Sequence, residues 1–337
     1  MSLMSSGSCT YVVNLHVRKC GGTAVRSLFS GLAGWQQIGT FCSELPELIS
    51  KAAGLHKRSG RYWSEVHCDE DIVDFNDGVS KLRAMLEPRG CRVLTTLLLR
   101  EPVEQMVSDW VYFRQDPDKI YTRTPAQWAR KKPENVYRLL LERHGEWWTG
   151  DDRSPLYPWH EATWAAQAFS VNAWAAARGD YPVPQLAKGC DPTLRYVASQ
   201  MDQIDHVGVM DTAEKFAQWW LLLGDDAGFD GTRAPLKNST RSKDPDDQTL
   251  SAKELRSMAK LNSCASKLHA LAAKRLARDG AADGAGHGRG SRHKRHQSQK
   301  RLGAPSKLAM AGDPSMATRV RALVSSWGGR NPAVELE

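Results

Sequence analysis

The sequence predicts an α/β protein with a mainly parallel central sheet of about five strands and helices on both faces, over residues 9 to 278. Two apolar strand patterns are each followed at once by a helical pattern, in residues 11–29 and 92–114. A third short apolar run, residues 206–210, precedes another helical pattern. Strands that alternate with helices are typical of a three-layer fold, because each crossover helix covers a face of the parallel sheet.

The first strand and helix enclose a loop that we expect to bind an anion. Residues 12–15 form the apolar run of a buried strand, and the next helical pattern begins after Gly21 and Gly22. The two glycines permit a tight turn whose N–H groups point inward, and Thr23 places a hydroxyl at the positive end of the helix dipole. Lys19 adds a cation beside this turn. The loop therefore predicts a phosphate or sulfate site, and an ordinary glycine-containing turn is the structural alternative.

This loop is not a standard nucleoside triphosphatase loop. The pattern GxxxxGK[ST] requires a lysine and a hydroxyl residue after the glycines. Here Lys19 precedes them. A nucleoside triphosphatase is therefore disfavoured.

A second polar position follows the strand pattern of residues 61–67. Ligands of an open parallel sheet lie at the carboxyl ends of its strands, which makes His67 a functional candidate. An imidazole suits proton transfer near neutral pH, and Glu65 lies two positions earlier on the same strand face. A histidine that only caps the strand end fits the pattern equally well.

The strand pattern of residues 92–99 ends at Arg100, and Pro102 opens the helix that follows. An arginine at a strand end is a bidentate phosphate donor. Ser108 lies about two helical turns further on and could contribute a hydroxyl to the same phosphate.

Both segments resemble the donor-binding motifs of sulfotransferases, particularly the heparan sulfate 2-O- and 6-O-sulfotransferase group. The run His16-Val17-Arg18-Lys19-Cys20-Gly21-Gly22-Thr23 resembles the HxPKTGGT loop, and residues 99–110, LREPVEQMVSDW, resemble LRxPVERxxSxY. The departures are Arg18 for proline, Cys20 for threonine, Ala24 for serine, Gln105 for arginine and Trp110 for tyrosine. The resemblance covers residues 11–30 and 92–114 well, and 206–277 weakly.

The resemblance implies a P-loop-like sulfotransferase fold and a donor, 3′-phosphoadenosine 5′-phosphosulfate (PAPS), with its product PAP. No metal is required. A carbohydrate hydroxyl is the favoured acceptor. A small-molecule alcohol, a protein tyrosine, a kinase that uses Mg-ATP and a non-catalytic nucleotide- or glycan-binding protein are the alternatives.

The resemblance also implies roles for individual residues. Lys19 would stabilise the leaving oxygen, and His67 would take the hydroxyl proton, with Glu65 as the second candidate base. Donor binding would fall to Arg18, Lys19, Cys20, Gly21, Gly22, Thr23, Ala24, Arg100, Ser108, and a closing loop with Lys237, Ser239 and Arg241.

Composition bounds the remaining properties. The chain has 337 residues and a net charge of +8, which suits an anionic ligand. Part of that charge lies in residues 279–337, which we expect to be a basic, low-complexity and largely disordered tail, with nucleic acid an unlikely partner. We expect residues 1–8 to be a disordered leader.

Cysteine spacing and hydropathy predict the compartment. The seven cysteines are scattered without a CxxC pair, which favours free thiols in a reducing compartment and gives no spacing for zinc. No apolar run approaches the roughly 20 residues of a membrane span. We therefore predict a cytoplasmic protein, or a Golgi-lumenal one if an anchor precedes Met4.

Overall fold

The computed structural model describes residues 9–39, 45–55, 60–66, 72–113, 126, 191–233, 250–284 and 315–326. The described strands form one parallel sheet of five strands in the order β2-β3-β1-β4-β5. Their bounds are Cys9–Leu15 (β1), Trp35–Gln37 (β2), Arg61–Val66 (β3), Cys91–Leu99 (β4) and His206–Val209 (β5). The predicted α/β class with a mainly parallel sheet is confirmed.

Helices cover both faces of this sheet. The described ones are Gly22–Ser30 (α1), Leu45–Ala53 (α2), Ile72–Leu86 (α3), Pro102–Phe113 (α4), Asp191–Met201 (α5), Ala213–Ala227 (α6), Ala252–Leu261 (α7), Ser263–Gly284 (α8) and Met316–Ser326 (α9).

Two adjacent threonines of β4 show how the layers are divided, because consecutive residues of a strand point to opposite faces. Thr96 Oγ1 accepts a hydrogen bond from Trp219 Nε1 of α6 (3.0 Å). On the other face, Thr95 Oγ1 donates to Asp205 (2.9 Å), which also pairs with Arg83 of α3. Helices α1 and α6 therefore form one layer, and α3 packs with α8 in the other.

The central position of β1 determines where a ligand can lie. The chain runs from β1 outward to β2, returns to β3 beside β1, and then crosses to β4 on the other side. The strand order thus reverses at β1, and ligands of open α/β sheets bind at the carboxyl ends of strands at such a point. Leu15 pairs in register with Leu97, so β1 and β4 end close together.

The expected disordered tail is wrong for part of its length. Helix α8 continues to Gly284, and residues 316–326 form α9, which packs on α6. Val320 and Leu323 of α9 are buried, and Arg319 forms a bidentate pair with Asp225 (2.7 and 2.8 Å). A short amphipathic helix escaped prediction because the basic, small-residue composition around it dominates that region.

The expectation of free thiols is also wrong for one pair of cysteines. Cys9 and Cys91 form a disulfide, and they lie opposite each other at the starts of neighbouring strands β1 and β4. They are 82 residues apart in sequence, so the pairing becomes visible only once the strand register is known.

Among the described residues, none of the helices combines the length and the hydropathy needed to cross a membrane.

Candidate functional site

The loop between β1 and α1, residues 16–21, contains the tight turn that the glycines predict. Lys19 and Gly21 both have positive φ angles, 61° and 81°. The left-handed region is costly for a non-glycine residue, so Lys19 is held in a strained conformation. The amide of Cys20 donates to the Val17 carbonyl (3.0 Å), and the Cys20 side chain is buried. Cys20 therefore serves the turn itself, whereas Lys19 is only partly buried.

The first turn of α1 directs backbone amides towards the carboxyl edge of the sheet. Its first printed bond runs from the Val25 amide to the Gly21 carbonyl (3.0 Å), so the amides of Gly22, Thr23 and Ala24 precede it. Gly21 caps the helix without a side chain, and the first turn contains no acidic residue. The Thr23 side chain is exposed, while Ala24 faces the core. This terminus has the electrostatic character of an anion site.

A buried ion-paired cluster lies directly beneath this loop. Glu65 of β3 is 1% exposed and pairs with His16 Nδ1. Its other partner is Arg26 of α1, whose Nε and Nη2 lie 3.2 and 3.3 Å from the two carboxylate oxygens. Burial alone would raise the pKa of the Glu65 carboxyl, but the hydrogen bonds and charges of His16 and Arg26 outweigh it and lower that pKa. Glu65 is therefore a stable carboxylate.

The imidazole of His16 packs against the first residue of α1. A Cβ atom built on Gly22 would lie 2.0 to 2.4 Å from three ring atoms of His16. Only glycine fits at this position, since real side chains do not approach so closely. The amide of His16 donates to the carbonyl of Val66, the last residue of β3 (2.9 Å). The His16 ring thus connects the end of β3 to the first turn of α1.

Arg100 and Ser108 lie at the carboxyl end of β4 and on α4. Arg100 is 7% exposed, and its Nε lies 3.6 Å from Glu104 Oε2. Ser108 is 2% exposed, and its hydroxyl has no hydrogen-bond partner within the described ranges. A buried hydroxyl without a partner costs roughly 1–3 kcal/mol, so it requires an explanation.

The structure brings these two segments together. Gln105 of α4 is fully buried and donates from Nε2 to the Arg18 carbonyl of the β1–α1 loop (3.0 Å). Gln105 and Ser108 are three residues apart, so they share one side of α4. Gly21 also packs closely against Met210, whose Sδ would lie 2.8 Å from a Cβ at that position. The loop, the start of α4 and the end of β5 therefore form one edge.

Acidic groups surround Arg100 at this edge. Burial raises the pKa of the Glu104 carboxyl, the charges of Glu101 and Asp211 raise it further, and Arg100 opposes them. The result is an arginine whose charge is partly balanced by its own neighbours. A phosphate bound to Arg100 would compete with Glu104.

A histidine–carboxylate pair completes the β5 end of this edge. Asp211 accepts from His269 Nε2 and from Lys215 Nζ, both at 2.7 Å. Burial opposes ionisation of Asp211, but these two partners lower the pKa of its carboxyl below the ordinary value. Lys215 and Asp211 are close in sequence, whereas His269 comes from the distant helix α8.

Sequence reasoning missed three contributors to this edge. His16 was treated only as part of a motif, although its ring determines the residue allowed at position 22. Gln105 was treated as a packing change, but it links α4 to the loop. His269 carries no local signal, since its partner Asp211 is 58 residues away.

Four predicted site residues lie outside the described residues: His67, Lys237, Ser239 and Arg241. Their predicted roles stay predictions. Within the described ranges, no group of three or more His, Cys, Asp or Glu side chains is arranged to hold a metal ion.

Comparison of the chain with protein-family models, with curated proteins and with solved structures found no match. The functional argument therefore depends on the geometry of this edge.

Proposed function

We propose that the protein is a sulfotransferase that moves the sulfuryl group of PAPS to a hydroxyl acceptor, with a carbohydrate as the favoured class. One observation carries the proposal: two anion-binding segments that are distant in sequence meet at the switch point of the sheet, linked by the bond from Gln105 to Arg18. A nucleotide with phosphate groups at both its 5′ and 3′ positions needs two such sites. A single phosphate would need only one.

The first segment would hold the 5′-phosphosulfate end. The amides of residues 22–24 and the exposed hydroxyl of Thr23 are available donors at the positive end of α1. Lys19, in its strained conformation, would place its ammonium group beside the same oxygens.

The second segment would hold the 3′-phosphate. Arg100 offers a guanidinium group, and Ser108 offers a buried hydroxyl that has no partner within the described ranges. A phosphate oxygen between them would satisfy the hydroxyl and use the strong charge-assisted bonds of arginine. These contacts would distinguish PAPS from ATP, which has no 3′-phosphate.

Donor and acceptor have complementary parts in the reaction. When bound, PAPS supplies the sulfuryl group: its bond from sulfur to the bridging oxygen breaks as the acceptor oxygen bonds to sulfur. Lys19 would stabilise the charge left on the 5′-phosphate. A base would take the proton of the acceptor hydroxyl.

Glu65 is poorly suited to be that base. Its two cationic partners lower the pKa of its carboxyl, which makes it a weak proton acceptor, and it is 1% exposed. We therefore propose His67 as the base and Glu65 as a positioning residue for His16 and Arg26.

The disulfide supports the lumenal alternative for localisation. Disulfides persist in oxidising compartments and are rare in the cytosol. The Cys9–Cys91 bond therefore favours the Golgi lumen over the cytoplasm as the place where this enzyme would work.

The proposal is tested by the affinity for PAP, measured by calorimetry, of the wild type and the variant Arg100→Ala. We expect the variant to bind PAP about 10- to 100-fold more weakly, because a charge-assisted hydrogen bond contributes roughly 1.5–3 kcal/mol. Arg92→Ala is the matched control, since Arg92 lies at the opposite end of β4 and pairs with Asp226. Equal losses in both variants, or no loss in Arg100→Ala, would contradict the proposed phosphate site.

A further inference from the structure

The cluster of His16, Glu65 and Arg26 has a definite proton arrangement. An ionised carboxylate only accepts hydrogen bonds, so the nitrogen of His16 that faces Glu65, Nδ1, must carry a hydrogen. The atom that gains or loses a proton is therefore Nε2. That atom lies 2.1 Å from the point where a Cβ of Gly22 would stand, against the first residue of α1.

The charge beneath the loop depends on that proton. Glu65 and Arg26 together sum to zero, because one carboxylate faces one guanidinium group. A neutral His16 leaves the sum at zero, whereas a protonated His16 raises it to +1. Since both partners are fixed in charge near neutral pH, His16 is the group of this cluster that can change.

The elements packed around His16 contribute few other charges. Glu65 comes from β3 and Arg26 from α1, and the loop itself contains Arg18 and Lys19. The described ranges show no acidic side chain against the ring other than Glu65. An oxyanion on the amides of residues 22–24 would be close to Nε2 and would stabilise its protonated form.

We propose that His16 is a positioning residue whose Nε2 takes up a proton when an oxyanion binds to the first turn of α1. The affinity of this turn for an oxyanion therefore rises as the pH falls. Thermodynamic linkage requires the reverse as well, so that binding of the oxyanion raises the pH at which His16 titrates. The identity of the oxyanion as the phosphosulfate end of PAPS rests on the proposed function.

The test is the affinity for two probes, inorganic sulfate and PAP, measured by calorimetry between about pH 5.5 and pH 8.5, across the usual range of histidine titration. Sulfate is the cleaner probe because its charge is constant over this range. We expect wild-type affinity to increase by up to about tenfold per pH unit as the pH falls through the His16 titration, with proton uptake seen as a buffer-dependent binding enthalpy.

The variant His16→Gln should lose this dependence. Glutamine keeps an amide that can donate to Glu65 but cannot take up the proton. His206→Gln is the matched control, because His206 is a buried histidine that also faces a carboxylate, Asp226 (3.1 Å), at the amino end of β5. We expect His206→Gln to keep the wild-type pH dependence. Titration of Glu104 and of PAP itself is common to all three proteins, so the difference between them isolates His16.

Each outcome decides between the two proposals. Equal pH dependence in wild type and His16→Gln overturns the role of His16. Wild-type binding of sulfate with the His16-dependent slope, without binding of PAP, supports the role of His16 and contradicts the proposed function. Binding of neither probe by the wild type contradicts both.

If His16→Gln does not fold, Glu65→Gln gives the same test. Loss of the carboxylate charge weakens the imidazolium, so the pH dependence should move to lower pH. An unchanged profile in that variant overturns the proposal.

Discussion

Single residues determine the chemistry at the carboxyl edge of β1, and Glu65 shows this most clearly. The sequence placed it two positions before His67 as a second candidate base. Its contacts indicate a different use, because His16 and Arg26 hold it as a buried carboxylate. No sequence rule could predict these contacts, since Arg26 is 39 residues away and joins Glu65 only through the packing of α1 on the sheet.

The lowered pKa of Glu65 predicts a pH-dependent contribution to stability. Its folded-state pKa lies below the unfolded value, so the ionised carboxylate stabilises the fold above the unfolded value, and this stabilisation is lost as the pH falls towards the folded value. We expect Glu65→Gln to lower the free energy of unfolding at neutral pH. The difference from the wild type should shrink as the pH falls from about 5 to about 3.

Urea unfolding at several pH values measures that difference. Glu47→Gln is the control, because Glu47 forms an exposed pair with Lys51 and should contribute little. A constant difference between wild type and Glu65→Gln at all pH values would exclude the stabilising role of the ionised carboxylate.

Among the elements, α4 is the one whose sequence was most informative and most incomplete. The strand ending at Arg100 and the helix opened by Pro102 have strong local signals, and both are present. The pairing of Arg100 with Glu104 follows from helical spacing. The bond from Gln105 to Arg18 does not, because it depends on how α4 meets a loop 87 residues earlier.

The pairing of Arg100 with Glu104 predicts that the acidic residue opposes anion binding. We expect Glu104→Gln to increase affinity for PAP about fivefold, or ~1 kcal/mol, because it removes a charge that both occupies Arg100 and repels phosphate. Calorimetry gives the affinity. Glu87→Gln is the matched control, since Arg83 and Glu87 form a pair of the same spacing on the other face of the sheet. Weaker binding by Glu104→Gln would mean that Glu104 orients Arg100 for the ligand.

At the scale of the whole molecule, local patterns were sufficient for the sheet and insufficient for its closure. Apolar runs and glycines are local signals, so the α/β class and the β1–α1 turn could be predicted. Helix α9 and the Cys9–Cys91 bond could not, because each joins parts of the chain that are far apart in sequence.

The disulfide should stabilise the molecule as a whole. In the chain-entropy model, a loop of this length contributes about 4 kcal/mol. We expect the double variant Cys9→Ser/Cys91→Ser to lose roughly 2–4 kcal/mol of unfolding free energy in urea. Reductant should destabilise the wild type and leave the double variant unchanged. Equal stability of the two proteins without reductant would show that the bond does not constrain the unfolded chain.

The central claim concerns which nucleotide this edge recognises, and thermal stability tests it most directly. The melting temperature would be measured with PAP, ADP, ATP, Mg-ATP and no ligand, because a ligand of the native state stabilises it by about 2.7 kcal/mol at one hundred times its Kd. We expect PAP to raise the melting temperature, and ADP and both forms of ATP to leave it unchanged. A rise with Mg-ATP and none with PAP would contradict the sulfotransferase proposal and favour a kinase.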